Sequence, residues 1–130
     1  MTEPGRAARR GARPRPGVPV RGSESGRPIM AALDLLGRRW TLRVLWELRA
    51  GPLGFRALQA RCDGMSSSVL RQRLLELEAA GLVEQPAADY ALTGLGRDAL
   101  KALRALDRWS QRWAERWADD GEAPGEVGTL

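Results

Sequence analysis

The sequence predicts a mainly α domain (α+β) in which a run of helices is interrupted once, by a short β-hairpin, and closed by a long terminal helix. Three observations carry that expectation. Apolar residues recur at helical spacing in five stretches between Ile29 and Trp117. The period falls from 3.6 to 2 only between Leu82 and Leu92. Breaking and capping residues, namely Gly37, Gly51-Pro52, Asp63-Gly64, Ser66, Gly81 and Thr93, stand at the junctions.

Each element follows from its local pattern. Residues 1–28 are Gly, Pro, Arg and Ser with almost no large apolar side chain, so they cannot bury enough surface to offset the entropy of ordering. They read as a disordered Arg/Pro/Gly-rich tail. One domain is expected over 29–118. It begins with a short helix, in which Ile29, Leu33 and Leu36 follow helical spacing and Gly37 breaks the run. Thr41 to Ala50 forms a second helix with Leu42, Leu45, Trp46 and Leu48 inward, stopped by Gly51-Pro52. A third runs from about Gly54 to Arg61, with Phe55, Leu58 and Cys62 at i, i+3 and i+7. Asp63-Gly64 turns the chain into a fourth helix, capped by Ser66 at its start and Gly81 at its end. Leu82–Gln85 and Asp89–Leu92 are two short strands around Pro86-Ala-Ala. Thr93 caps the last helix, which reaches about Ala118, and 119–130 reads as a flexible acidic tail.

Charge distribution narrows the function. The formal net charge is +5. Residues 1–27 carry seven arginines against Glu3 and Glu24, so this segment alone supplies that value. Within the remainder, Arg38 to Arg73 holds eight arginines against Glu47 and Asp63, whereas Leu74 to Leu130 is acidic. The basic charge therefore coincides with the third and fourth helices. Tail arginines can add non-specific phosphate attraction; a solvated tail without contacts is the alternative.

Two helices joined by a tight Asp-Gly turn form a helix-turn-helix from Phe55 to Gly81, in which one helix braces and the next enters a major groove. Placing Leu70, Leu74 and Leu77 inward directs Ser68 and Gln72 outward, with Arg71 and Arg73 on the flanks. Gln72 can pair bidentately with adenine, and arginine with guanine or phosphate. Ser66 and Ser67 can hydrogen-bond phosphate beside the helix N-terminus. The competing interpretation gives Arg71 and Arg73 to salt bridges with Glu76 or Glu78, and the serines to plain capping.

These residues resemble the HxlR-type winged helix-turn-helix transcriptional regulators, relatives of the wider MarR superfamily. The matching stretches are Ala32-Leu-Asp-Leu-Leu-Gly-Arg-Arg-Trp-Thr-Leu42, Leu48-Arg-Ala-Gly-Pro-Leu-Gly-Phe-Arg-Ala-Leu58, Ser66 to Val83, and Tyr90-Ala-Leu-Thr-Gly-Leu-Gly96. The resemblance implies a winged fold, a homodimer built from the terminal helices, and control of promoters through palindromic sites on double-stranded DNA. It carries recognition-helix contacts onto Ser66, Ser68, Gln72 and Arg73, and a supporting contact onto Arg56. Two departures matter. Many members carry a redox-sensing cysteine before a proline ahead of the first helix, where this chain has Arg27 before Pro28. The hairpin is also clipped and bears Glu84 and Asp89 with no basic residue, which shifts affinity onto the recognition helix and the arginines near Arg38.

Trp109, Trp113 and Trp117 recur at i, i+4 and i+8. With Leu95, Ala99, Ala102, Leu103 and Leu106 they fall in one sector about 120° wide on the last helix. A face about 33 Å long exceeds what a small domain can cover, so a partner subunit is expected to bury it. The same rings, with Trp40 and Trp46 at the border, could also wall a pocket for a planar aromatic effector.

Other classes find less support. One cysteine, Cys62, excludes an internal disulfide and a multi-cysteine zinc site, and the chain has no histidine. No catalytic constellation, metal site or cofactor motif is visible, so the expectation is a non-enzyme. Cys62 is expected as a small core residue. No apolar run spans a membrane or marks a secretory leader, which points to a cytoplasmic protein. A winged-helix module that binds only protein is the alternative, and it would have no use for arginines on the fourth helix.

Overall fold

The structure is a computed structural model that describes residues 16–17 and 26–120. The two expected tails lie mostly outside the described residues. Among the described residues five helices and one hairpin follow in order: α1 (Pro28–Leu36), α2 (Thr41–Glu47), α3 (Phe55–Arg61), α4 (Ser67–Ala79), β1 (Val83–Glu84), β2 (Ala91–Leu92) and α5 (Gly94–Asp119). This is the mainly α arrangement expected, with a two-stranded antiparallel wing and a long last helix.

Helix ends obey their caps. Pro28 opens α1, where its missing N–H would have had no helical partner. Ser66 Oγ accepts the N–H of Val69 at 3.2 Å, and Thr93 Oγ1 accepts that of Gly96 at 3.0 Å. At the end of α4, Gly81 N–H reaches Glu78 O and Leu82 N–H reaches Leu77 O, a Schellman closure. It requires a left-handed residue, and Gly81 supplies φ 83°. Helix α2 is shorter than expected, because its last carbonyls are taken up in a tightened turn, Leu48 N–H to Leu45 O and Arg49 N–H to Trp46 O.

Leu45, Leu58, Leu70, Leu74 and Leu77 are the largest fully buried side chains, so α2, α3 and α4 meet around one core. Leu42, expected inward, is only partly buried at its margin. The hairpin pairs Val83 with Leu92 and Glu84 with Ala91. An unanticipated rung extends it: Leu53 and Tyr90 exchange both backbone hydrogen bonds, at 3.0 and 2.8 Å. Buried Tyr90 thereby seats the loop after α2 and the wing on each other.

Helix α5 departs from the single apolar face read from the sequence. Its buried residues are Gly96, Leu100 and Leu103, of which only Leu103 belonged to the expected face; Ala99, also of that face, is half-buried against the core. That buried line lies about a quarter-turn from Leu106 and the tryptophans, at 100° per residue. Leu95, Leu106, Trp109, Trp113 and Trp117 stay exposed. Helix α1 shows the same split, burying Ala31 and Leu35 while Ile29 and Leu33 are 57% and 58% exposed.

Candidate nucleic-acid interface

Helix α4 is fixed along one side and open along the other. Leu70, Leu74 and Leu77 anchor it, whereas Ser66, Ser67, Ser68, Arg71 and Gln72 are exposed. The turn ahead of it is rigidly held. Asp63 and Gly64 both adopt left-handed conformations (φ 57° and 68°), and Gln59 Nε2 donates to Met65 O at 2.8 Å, tying α3 to the entry of α4. Ser66 and Ser68 hydroxyls lie 2.9 Å apart, one capping and one in the first turn. Arg56 is exposed on α3, and the Arg71 guanidinium lies over the Phe55 ring, 4.8 Å from its centroid.

The two flanking arginines have different fates. Arg71 is at the surface. Arg73 turns away from the reading face and pairs with Glu76, which is only 2% exposed. Glu76 also receives Arg38, whose guanidinium lies 3.3 Å from Asp34 of α1, and Gln72 Nε2 stands 3.4 Å from the same carboxylate. Burial pushes the Glu76 pKa up, but hydrogen bonds and charges from Arg73 and Arg38 outweigh it and hold the carboxyl below the ordinary range. The group is therefore an anion at neutral pH, and a link between α1, the α1–α2 turn and α4.

Arg43 is similarly engaged, with Glu47 at 2.8 Å, Asp63 at 3.2 Å and the Arg61 carbonyl at 2.8 Å. Arg38, Arg43 and Arg73 thus serve the domain's own ion pairs, and the positive stretch facing outward is smaller than its formal charge. The pairing of Arg73 with Glu76 was open to sequence reasoning, being i, i+3 on one helix. Its partner Arg38, 38 residues away, was not.

The remaining candidates separate cleanly. Cys62 is fully buried, and burial, the largest influence, raises its thiol to about 11. Trp46 is closed into the chain's own core, with the Arg49 guanidinium over its ring at 4.5 Å. Trp40 is half-buried at the N-cap of α2 with φ 77°, beneath Arg39. Only the α5 rings stand out together, between 42% and 54% exposed. Trp109 and Trp113 stack with centroids 5.5 Å apart, and Trp117 meets Trp113 edge-on at 6.5 Å. Among the described residues no helix is long and apolar enough to cross a membrane.

A braced pair of helices, an open polar face on the second and a hairpin directly after it define a winged helix-turn-helix protein. Residues 35–118 match the family model for the HxlR-like helix-turn-helix, and the chain belongs to that family. An HTH-type transcriptional regulator of Methanocaldococcus jannaschii is 29% identical over 62% of this chain and 79% of that one. Quinone-bound YodB from Bacillus subtilis is 33% identical, with a TM-score of 0.57 over 68% of this chain and 96% of the other. An HxlR-family transcription factor from Thermoplasma volcanium is 29% identical, with a TM-score of 0.59 over 63% and 80%. The protein is a DNA-binding transcriptional regulator.

Proposed function

We propose that the protein binds palindromic operator DNA as a homodimer, with α4 in the major groove and the exposed faces of α1 and α5 against a second copy. The observation that carries the docking is the division of α4: an anchored leucine side and an open side of Ser68 and Gln72, with Arg71 beside it. Gln72 reads a base edge, Ser66 and Ser67 hold phosphate at the helix start, and Arg56 and Arg71 add cationic contacts. Arg73 takes a supporting part, since its guanidinium is committed to Glu76.

The dimer reading rests on Ile29, Leu33, Leu106 and the three tryptophans, apolar side chains left open on the first and last helices. A two-fold axis through them would present two α4 helices to half-sites about one helical turn apart. A planar aromatic effector belongs to the same proposal: YodB, a relative by structure, binds quinone, and the stacked Trp109–Trp113 pair offers flat apolar walls. The test is sedimentation together with DNA binding for wild type and Trp113→Arg. Wild type should sediment at twice 14.3 kDa and bind a palindrome tightly. The variant should be a folded monomer with binding reduced to that of a half-site. A wild-type monomer at concentrations that saturate the palindrome would contradict the proposal.

A further inference from the structure

A cleft of about 550 Å³ opens where α3, the first turn of α4 and the hairpin converge, lined among others by Phe55, Arg56, Gln59, Ser67, Arg71 and Gln85. Its chemistry is cationic and donor-rich. Two guanidiniums come from different helices and a hydroxyl from the start of α4; the amides of Gln59 and Gln85 border the cleft, each with one N–H already given to a backbone carbonyl, Met65 O at 2.8 Å and Ala88 O at 2.9 Å. None of the ion pairs of the domain includes Arg56 or Arg71 among the described residues. The Arg71 guanidinium instead lies over the Phe55 ring, 4.8 Å from its centroid, a cation–π contact that restrains it while leaving its N–H groups available. The exposed hairpin is anionic on both sides of its turn, at Glu84 just before Gln85 and at Asp89, which would repel phosphate from the tip between them.

We propose that this cleft is an oxyanion seat for one phosphodiester of the bound duplex, and that Phe55 acts as a positioning residue by holding Arg71 in it. The proposal rests on the DNA-docking reading above and adds a division of labour to it. Arg71 and Arg56 grip the backbone, where they carry no sequence information. Base reading falls to Gln72 and Ser68 on the open face of α4. The wing contributes through the second N–H of Gln85, the first being held by Ala88 O, so that its base and not its tip faces the phosphate. Because Arg71 already rests over Phe55 before DNA arrives, less rotamer entropy is lost on binding than a free arginine would lose.

A double-mutant cycle on Phe55 and Arg71, measured by fluorescence anisotropy with operator and with unrelated duplex at several salt concentrations, tests this. Arg71→Ala should lower the slope of log K against log salt by about 0.9 on both duplexes. Phe55→Leu changes no charge, yet should weaken both duplexes equally, by about two- to fivefold, the range of an exposed cation–π contact. Phe55→Tyr, which keeps the ring face, should restore wild-type affinity. In the Arg71→Ala background Phe55→Leu should have no further effect. An equal loss in both backgrounds, no loss at all, or a loss confined to the operator would overturn the seat. Competition by inorganic phosphate at concentrations that leave the Arg71→Ala variant unaffected would assign the cleft to a free anion instead and overturn the phosphodiester reading. Failure of wild type to bind either duplex would refute the docking itself, and is thereby distinct from these outcomes.

Discussion

Glu76→Gln is the substitution whose consequence can be worked furthest. The carboxylate is buried, with two arginine side chains only 16% and 19% exposed directed at it. Glutamine preserves the volume but removes the charge, so two guanidiniums are left facing a neutral amide with little water to screen them. Breaking a buried pair from one side costs about 3–5 kcal/mol, because the remaining charge is uncompensated. Glutamine can still accept a hydrogen bond, which places the expectation near 3 kcal/mol. For a domain of this size each kcal/mol corresponds to about 4–8 °C, so the thermal midpoint should fall by at least about 12 °C at pH 7. The pH dependence has a definite sign. A carboxyl whose folded pKa is depressed stabilises the fold above its unfolded value, and that contribution is lost as pH falls through the folded value. The gap between wild type and variant should therefore be full at neutral pH and shrink below about pH 4.3, the unfolded reference. Calorimetry from pH 7 to 3 measures it. A gap below about 0.5 kcal/mol at pH 7, or one that widens with acid, would refute the reasoning.

Other expectations follow from single features. Cys62, buried with its thiol raised to about 11, should resist iodoacetamide at pH 8 in the native protein and react readily in urea; mild oxidation should leave DNA affinity unchanged. Gly96→Ala would normally favour a helix by about 1 kcal/mol. Here an added Cβ would lie 2.0 Å from the Leu82 carbonyl oxygen, so a net loss of about 1–3 kcal/mol is expected in denaturant unfolding.

What the sequence made legible was local. Ser66 and Thr93 declare caps by side-chain chemistry within three residues, and Leu70, Leu74 and Leu77 declare the buried side of α4 by spacing alone. Long-range geometry was not legible. The Leu53–Tyr90 rung joins residues 37 positions apart through backbone atoms, which no side-chain pattern encodes. Arg38 looked like free positive charge near a DNA face, because formal charge does not reveal a partner 38 positions away, whereas the pairing of Arg73 with Glu76 was the competing interpretation that helical spacing offered. On α5, spacing marked an apolar sector, but periodicity did not show that the line meeting the parent domain lies mostly outside it. Leu100 and Leu103 meet it, and the tryptophans do not. For the candidate site, the exposure of Gln72, Ser68 and Arg71 followed from the leucine spacing, whereas the cleft with Gln59 and Gln85 required the hairpin's position.

The central claim is that α4 reads DNA through its open face, and Gln72→Ala tests it most directly. Gln72 is exposed, and its hydrogen bond to Glu76 is long, at 3.4 Å, beside the two arginines that hold that carboxylate, so the fold should be retained. Binding should be measured on the duplex flanking the protein's own coding region, with each base pair of the half-site replaced in turn. The account predicts a loss of about 1–3 kcal/mol at one base-pair position, with discrimination relaxed there alone and the salt slope unaltered. Unchanged affinity and unchanged base preference at every position would contradict it.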